Sequence, residues 1–321
     1  MLLTSNFCVL PSHRVRVEDI LAADNYSVED AARTLAVTGV EYVNHAISGS
    51  LSTLVFEGLG RIMTETPELL TGIDAVLVVS QSYDQRIPSL STRIQNFLNL
   101  KSSTWCLDVM DGCAGFVKAV SIVRMLEKSG YAKVLVVCGD INSVLTRNSA
   151  TSTKILFGDG ISVSIFEGGA SIPRASILNK GDREGTISCG FEADDSMLMN
   201  GFEVFRFTRT SVPKLVEVFL GDSGEKLSDY DLIGMHQASR LVVDSLAEVL
   251  GLESSFGSSF LCNNIGNLGA GSIGAWLSQV SSDKLADQIR ILAVGYGSGL
   301  SWGVASFEAR LTRNKVIHVE C

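Results

Sequence analysis

Only four histidines, His13, His45, His236 and His318, occur among the 321 residues. Acid–base chemistry at neutral pH therefore has few candidates. Prolines number five and no low-complexity tract occurs, which excludes long linkers and disorder. The seven cysteines (Cys8, Cys106, Cys113, Cys138, Cys189, Cys262 and Cys321) are scattered and include no CxxC pair. That argues against structural zinc and a closed disulfide framework, so no metal is expected and a reducing, cytoplasmic setting fits. No apolar run approaches the ~18 residues of a membrane span. The opening segment, MLLTSNFCVLPSHR, has no basic stretch ahead of an apolar core and does not read as an export signal. Basic residues are short as well: 26 against 35 acidic ones, a net charge of −9, with no basic stripe. Nucleic acid is a poor partner for such a chain.

What is present is apolar. Hydrophobic residues make up 46% and charged ones 19%, with a mean hydropathy of +0.27. The soluble average is about 25% charged, so this chain should bury much of itself in a large core or a subunit interface. Buried strands are expected at 75–79, 106–109, 134–138, 161–166, 232–235, 291–294 and 303–307, each a short apolar run bounded by Gly, Asp or Ser. Helices are expected at 113–129, closed by Gly130, and at 211–220, 241–250 and 273–280. Strands alternating with helices imply an α/β architecture.

A weak internal repeat organises these elements. IDAVLVVSQS, with Asp74, is similar to YDLIGMHQAS, with Asp231. Sixty positions separate Asp74 from Val134, and 60 again separate Asp231 from Ile291. Each of those strands leads into a last strand ending in Phe-Glu, at 166–167 and 307–308. The division expected is a first half at 1–169 and a second at 170–321, stacked so that the loops at Cys113 and Asn267 face each other. A site would lie between them.

Cys113 sits where a strand turns through Asp111-Gly112 into the long apolar helix. A thiol at a helix N-terminus feels the positive end of the macrodipole, which favours the thiolate, and the free N–H groups there suit an oxyanion. A small buried hydrophobe is the bland alternative for a lone cysteine. His236 ends a strand and, by the repeat, faces the cleft, although a satisfied core histidine would look the same. Asn267 lies in a glycine-rich loop without phosphate-loop spacing. Asp111, two residues before the thiol, would oppose thiolate formation unless it points outward or is hydrogen-bonded.

DGCAGF (111–116), LFGDG (156–160), GFEVFRF (201–207), MHQAS (235–239), IGNLGAGS (265–272) and GYGSGLSWG (295–303) occur in this order. Their order and spacing resemble those of β-ketoacyl-ACP synthase III, a thiolase-superfamily family, from about Pro11 to Ala309. The resemblance implies a duplicated, five-layered αβαβα thiolase-like fold and a homodimer. It implies that Cys113 is the nucleophile that takes an acyl group from a thioester. His236 and Asn267 would stabilise the enolate of a malonyl-type thioester during decarboxylative Claisen condensation. Gly299, with Cys113, would supply the oxyanion-hole N–H groups. No metal or redox cofactor is implied; the substrates are thioesters of coenzyme A or of acyl carrier protein.

Met235, Ser239 and Leu268 replace the family's proline, asparagine and threonine beside these residues. Arg33 and Thr151 stand where the family holds the adenine of coenzyme A with tryptophan and arginine, which favours a specialised paralogue. Arg206, Arg209, Lys214 and Arg240 are candidates for docking an acidic carrier protein, which an acidic enzyme can approach only through a local basic patch. Ile87 aligns with a position that reaches across the dimer and limits acyl length. Acyl transfer to a hydroxyl or amine, and a partner subunit of a heteromeric synthase, are the alternatives.

Overall fold

The computed structural model describes residues 1–169, 172–181, 185–192, 194–252, 259–280 and 287–321. Nine strands form one sheet system: β1 Leu2–Pro11, β2 Ala75–Ser80, β3 Trp105–Met110, β4 Lys133–Asp140, β5 Gly160–Glu167, β6 Arg174–Asn179, β7 Leu232–Met235, β8 Ile289–Gly297 and β9 Ser301–Val319. Seven helices frame the site: α1 Val28–Thr38, α2 Leu51–Glu65, α3 Leu90–Phe97, α4 Gly115–Lys128, α5 Gly201–Gly221, α6 Arg240–Leu250 and α7 Ser272–Gln279. Among the described residues no helix is long and apolar enough to cross a membrane.

The strand order is β7-β8-β9-β1-β5-β4-β2-β3, with β6 also paired to β9. One pairing scheme occurs twice. In the first half β1 is antiparallel to β5, β5 antiparallel to β4, and β4 parallel to β2. In the second, β6 is antiparallel to β9, β9 antiparallel to β8, and β8 parallel to β7. The 19-residue β9 joins the halves: residues 301–309 pair with β8, and its later part runs parallel to β1. The expected division at 169/170 falls beside residue 170, which lies outside the described residues.

Side-chain alternation along the strands divides the core into layers. From β2, Ala75, Leu77 and Val79 point into the central layer, while Val76 and Val78 point outward. From β8, Ile291 and Ala293 face the centre and Leu292 and Val294 face the opposite outer layer. Helices α4 and α7 fill the central layer; α2 and α3 cover the first outer face, and α5 and α6 the second. The result is the thiolase-like αβαβα stack, in which strands buried on both faces read as continuous apolar runs.

Two of the expected elements prove much longer than their sequence patterns suggest. Helix α5 begins at Gly201, capped by the Asn200 side chain, ten residues before the expected Ser211. Pro213 lies inside it, although proline is ordinarily found in a helix's first turn. Strand β9 continues to Val319, where alternating polar residues had concealed it.

Candidate active site

The turn after β3 carries Cys113 to the start of α4, whose N-cap is Ala114. Strand β8 passes close by. A Cβ on Gly297 would lie 2.4 Å from Cys113 Cβ and 2.8 Å from its sulfur, so only glycine lets the backbone approach. The N–H of Ser298 and that of Cys113 itself donate to the sulfur. The loop N–H that acts on the sulfur belongs to Ser298, while the neighbouring Gly299, expected to donate to an oxyanion, takes a φ of 131° that side chains rarely adopt.

The expected low thiol pKa is overturned. Burial, then Asp140 and Asp111, push Cys113 up to about 12, and the two N–H groups do not offset them. Cys113 stands one residue outside the helix cap, where the dipole is weaker than desolvation. Asp111 is ion-paired with Lys118 of α4, as a hydrogen-bonded outward carboxylate should be. Asp140, not singled out in the sequence, ends β4 and is 1% exposed. Its carboxylate accepts from Ser80 Oγ (2.8 Å), Gln81 N–H (2.6 Å) and Ala270 N–H (3.4 Å), tying the end of β2 to the loop before α7.

His236 follows β7, its N–H bonded to the Val294 carbonyl at 2.8 Å. Its Nδ1 lies 2.5 Å from Oγ of Ser272, the first residue of α7. The edge of the ring meets Tyr296, centroids 5.3 Å apart, and the Tyr296 hydroxyl donates to the His236 carbonyl at 2.8 Å. Desolvation alone lowers its pKa to about 3, so the imidazole is neutral at pH 7.

Asn267 is anchored to LFGDG: its N–H donates to Leu156 O (2.8 Å), and its carbonyl accepts from Gly158 N–H (3.1 Å). Its Oδ1 accepts from Gly269 N–H at 2.9 Å, which fixes the amide orientation and leaves Nδ2 without a bond among the described residues. A Cβ on Gly115 would stand 3.1 Å from Ala270 Cβ, so the start of α4 and the Asn267 loop do face each other. A continuous line of contacts thus runs from Cys113 past Gly297 and Tyr296 to His236, Ser272, Gly269 and Asn267.

Arg206 pairs with Glu203; Arg209 donates to Ser245 Oγ (2.7 Å) and lies 3.7 Å from Glu248. Lys214 is exposed without an ion pair among the described residues, and half-buried Arg240 packs over Gly39. Ile87 is 84% exposed and does not enter the site of its own chain. Arg33 of α1 is paired with Glu29 and Asp30, and the Thr151 hydroxyl donates to Asp24, so no free cation stands at either position.

The sequence profile of 3-oxoacyl-[acyl-carrier-protein (ACP)] synthase III matches residues 107–180, and that of its C-terminal part matches 220–309. A β-ketoacyl-[acyl-carrier-protein] synthase III of Oceanobacillus iheyensis is 30% identical over 259 residues, covering 79% of this chain and 82% of that protein. One from Clostridium acetobutylicum is 28% identical over 284 residues, 83% of this chain and 86% of that protein. The crystal structure of a 3-oxoacyl-(acyl-carrier protein) synthase from Burkholderia xenovorans LB400 superposes with a TM-score of 0.87 at 24% identity, over 99% of this chain and 97% of that one. At that identity the likeness speaks for the fold.

Proposed function

This chain belongs to the β-ketoacyl-[acyl-carrier-protein] synthase III family of condensing enzymes, and we propose that Cys113, His236 and Asn267 carry out its reaction. The Cys113 sulfur attacks an acyl thioester. The tetrahedral oxyanion rests on the N–H groups of Cys113 and Ser298, the carrier thiol leaves with the proton, and an acyl-Cys113 intermediate remains. A malonyl-type thioester enters next. As CO₂ departs, its carbonyl oxygen becomes an enolate that accepts from His236 Nε2–H and Asn267 Nδ2–H. The carbanion attacks the acyl-Cys113 carbonyl, a carbon–carbon bond forms, and the Cys113 thiolate leaves. This acyl transfer draws on thioester chemistry and decarboxylation, with no call for a metal or redox cofactor.

The observation that supports this reading best is the state of the two donors. Burial holds His236 neutral and reluctant to take up a proton, and the Gly269 N–H occupies Asn267 Oδ1, so that the Asn267 amide presents its N–H. Transfer to a hydroxyl or amine acceptor would instead need His236 to take a proton, which desolvation disfavours.

The donor is an acyl carrier protein or coenzyme A thioester. Arg206, Arg209 and Lys214 of α5, with half-buried Arg240 at the start of α6, form the proposed carrier-protein dock. Strand β3, a half-buried sheet edge with Met110 58% exposed, is the proposed homodimer seam. Exposed Ile87 would then cap a short or medium acyl group in the partner. Intact-protein mass spectrometry with a panel of acyl thioesters tests the first step. An adduct in the natural protein, lost in Cys113→Ala, is expected; no adduct with any donor would count against it.

A further inference from the structure

The Ser272 hydroxyl has one proton and two neighbours that can accept it, His236 Nδ1 at 2.5 Å and the Gly269 carbonyl at 3.1 Å. Which one does so decides the tautomer of His236. If the hydroxyl donates to Gly269, its oxygen must accept Nδ1–H, and Nε2 is a bare acceptor. If it donates to Nδ1, the ring proton sits on Nε2.

We propose that Ser272 is a positioning residue that donates to His236 Nδ1 and so fixes the imidazole with its proton on Nε2, aimed at the enolate oxygen. Two observations favour this arrangement. The Gly269 carbonyl already accepts the backbone N–H of Ser272, so it does not need the hydroxyl. His236 and Ser272 are 1% and 0% exposed, and among the described residues Ser272 is the sole hydrogen-bond partner of the ring, so its hydroxyl is the one donor placed to hold Nδ1 as an acceptor.

The same logic governs Asn267. One loop, 267–272, supplies the Gly269 N–H that occupies Asn267 Oδ1 and the Ser272 hydroxyl that occupies His236 Nδ1. In each case the loop fills the acceptor atom and leaves the donor free. The loop is itself held by Asp140, through Ala270 N–H at 3.4 Å. Both enolate donors are thereby set by one short segment, which stands opposite the nucleophile.

The inference rests on the condensing reaction proposed above, but its first test does not need turnover. Two-bond ¹H–¹⁵N spectra of histidine-labelled protein, with the His236 ring assigned by its loss in His236→Gln, report the tautomer directly. A proton on Nε2 is expected; a proton on Nδ1 would overturn the proposal. In the second test, Ser272→Ala should lower the condensation kcat roughly 10- to 100-fold, the size of effect seen when a metal-ligating histidine loses its orienting partner. It should leave KM for the malonyl donor nearly unchanged and slow acyl-Cys113 formation far less. Ser272→Thr, which keeps the hydroxyl, should restore most of the rate. An equal fall in both half-reactions, or undiminished condensation, would contradict the role. If natural protein formed no acyl-Cys113, the reaction itself would be wrong, while the spectrum would still decide the tautomer.

Discussion

Replacing Gly297 by alanine would place a methyl group 2.4 Å from Cys113 Cβ and 2.8 Å from its sulfur, where ordinary contact begins at 3.4 Å. The Cys113 Cβ is fixed to its backbone and cannot swing aside. Cys113 is fixed between a turn and the first residues of α4, and Gly297 is paired to Ser301 of β9, so relief requires the two backbones to part by about 1 Å. A misplacement of that size at a reacting centre lowers rates by about 10²-fold, and an overpacked core loses about 1–3 kcal/mol. The assay is the rate of acyl-Cys113 formation, by quenched-flow mass spectrometry, beside urea unfolding of the same protein. Gly221→Ala is the control: it sits at the end of α5 with nothing within 4 Å of the added Cβ, and should acylate normally. Gly297→Ala acylating within threefold of the natural rate would refute the close approach of β8 to the nucleophile.

His236→Ala should lower condensation by roughly 10²–10³-fold, the effect of losing one oxyanion donor, while the acyl-Cys113 adduct still forms; loss of the adduct would instead make His236 a base. The folded pKa of His236, about 3 against an ordinary 6.5, also links folding to pH. Below about 6.5 the unfolded chain binds a proton that the folded one does not, so this group withdraws stability as pH falls, by about 1.4 kcal/mol per pH unit. From pH 7 to pH 5 the natural protein should lose about 2 kcal/mol more than His236→Gln in urea unfolding; parallel losses would show that the imidazole is not buried neutral. Asp140→Asn should lower the pH midpoint for alkylation of Cys113, followed by peptide mass, because the carboxylate's field raises the thiol pKa. An unchanged midpoint would mean that this field does not reach the sulfur.

Much of the fold was legible in the sequence because strands covered on both faces must be apolar throughout. Runs such as AVLVVS at β2 and KVLVVCGD at β4 can hardly be anything else. The far half of β9 was not legible, since its partner β1 lies some 300 residues away in sequence and its residues are half exposed. Cys113, His236 and Asn267 could be singled out as each lies where a strand or glycine-rich loop meets a helix. Ser298, Ser272 and Asp140 could not. Ser298 acts on the Cys113 sulfur through its backbone N–H, which any residue type provides. Ser272 and Asp140 matter through partners contributed by another element or by the other half of the chain. The depressed thiol pKa expected from the helix terminus failed for a related reason: desolvation is a property of the assembled layers, not of the local turn.

The most direct measurement is a chase. Protein carrying a defined acyl adduct on Cys113 is mixed with a carboxyl-labelled malonyl thioester, and the adduct, the released CO₂ and the product are followed together. One labelled CO₂ per adduct lost, with the acyl group recovered in a β-ketoacyl thioester, is the expected result. Adduct lost without CO₂, as a hydrolysed acid or an ester or amide, would contradict carbon–carbon bond formation at this site.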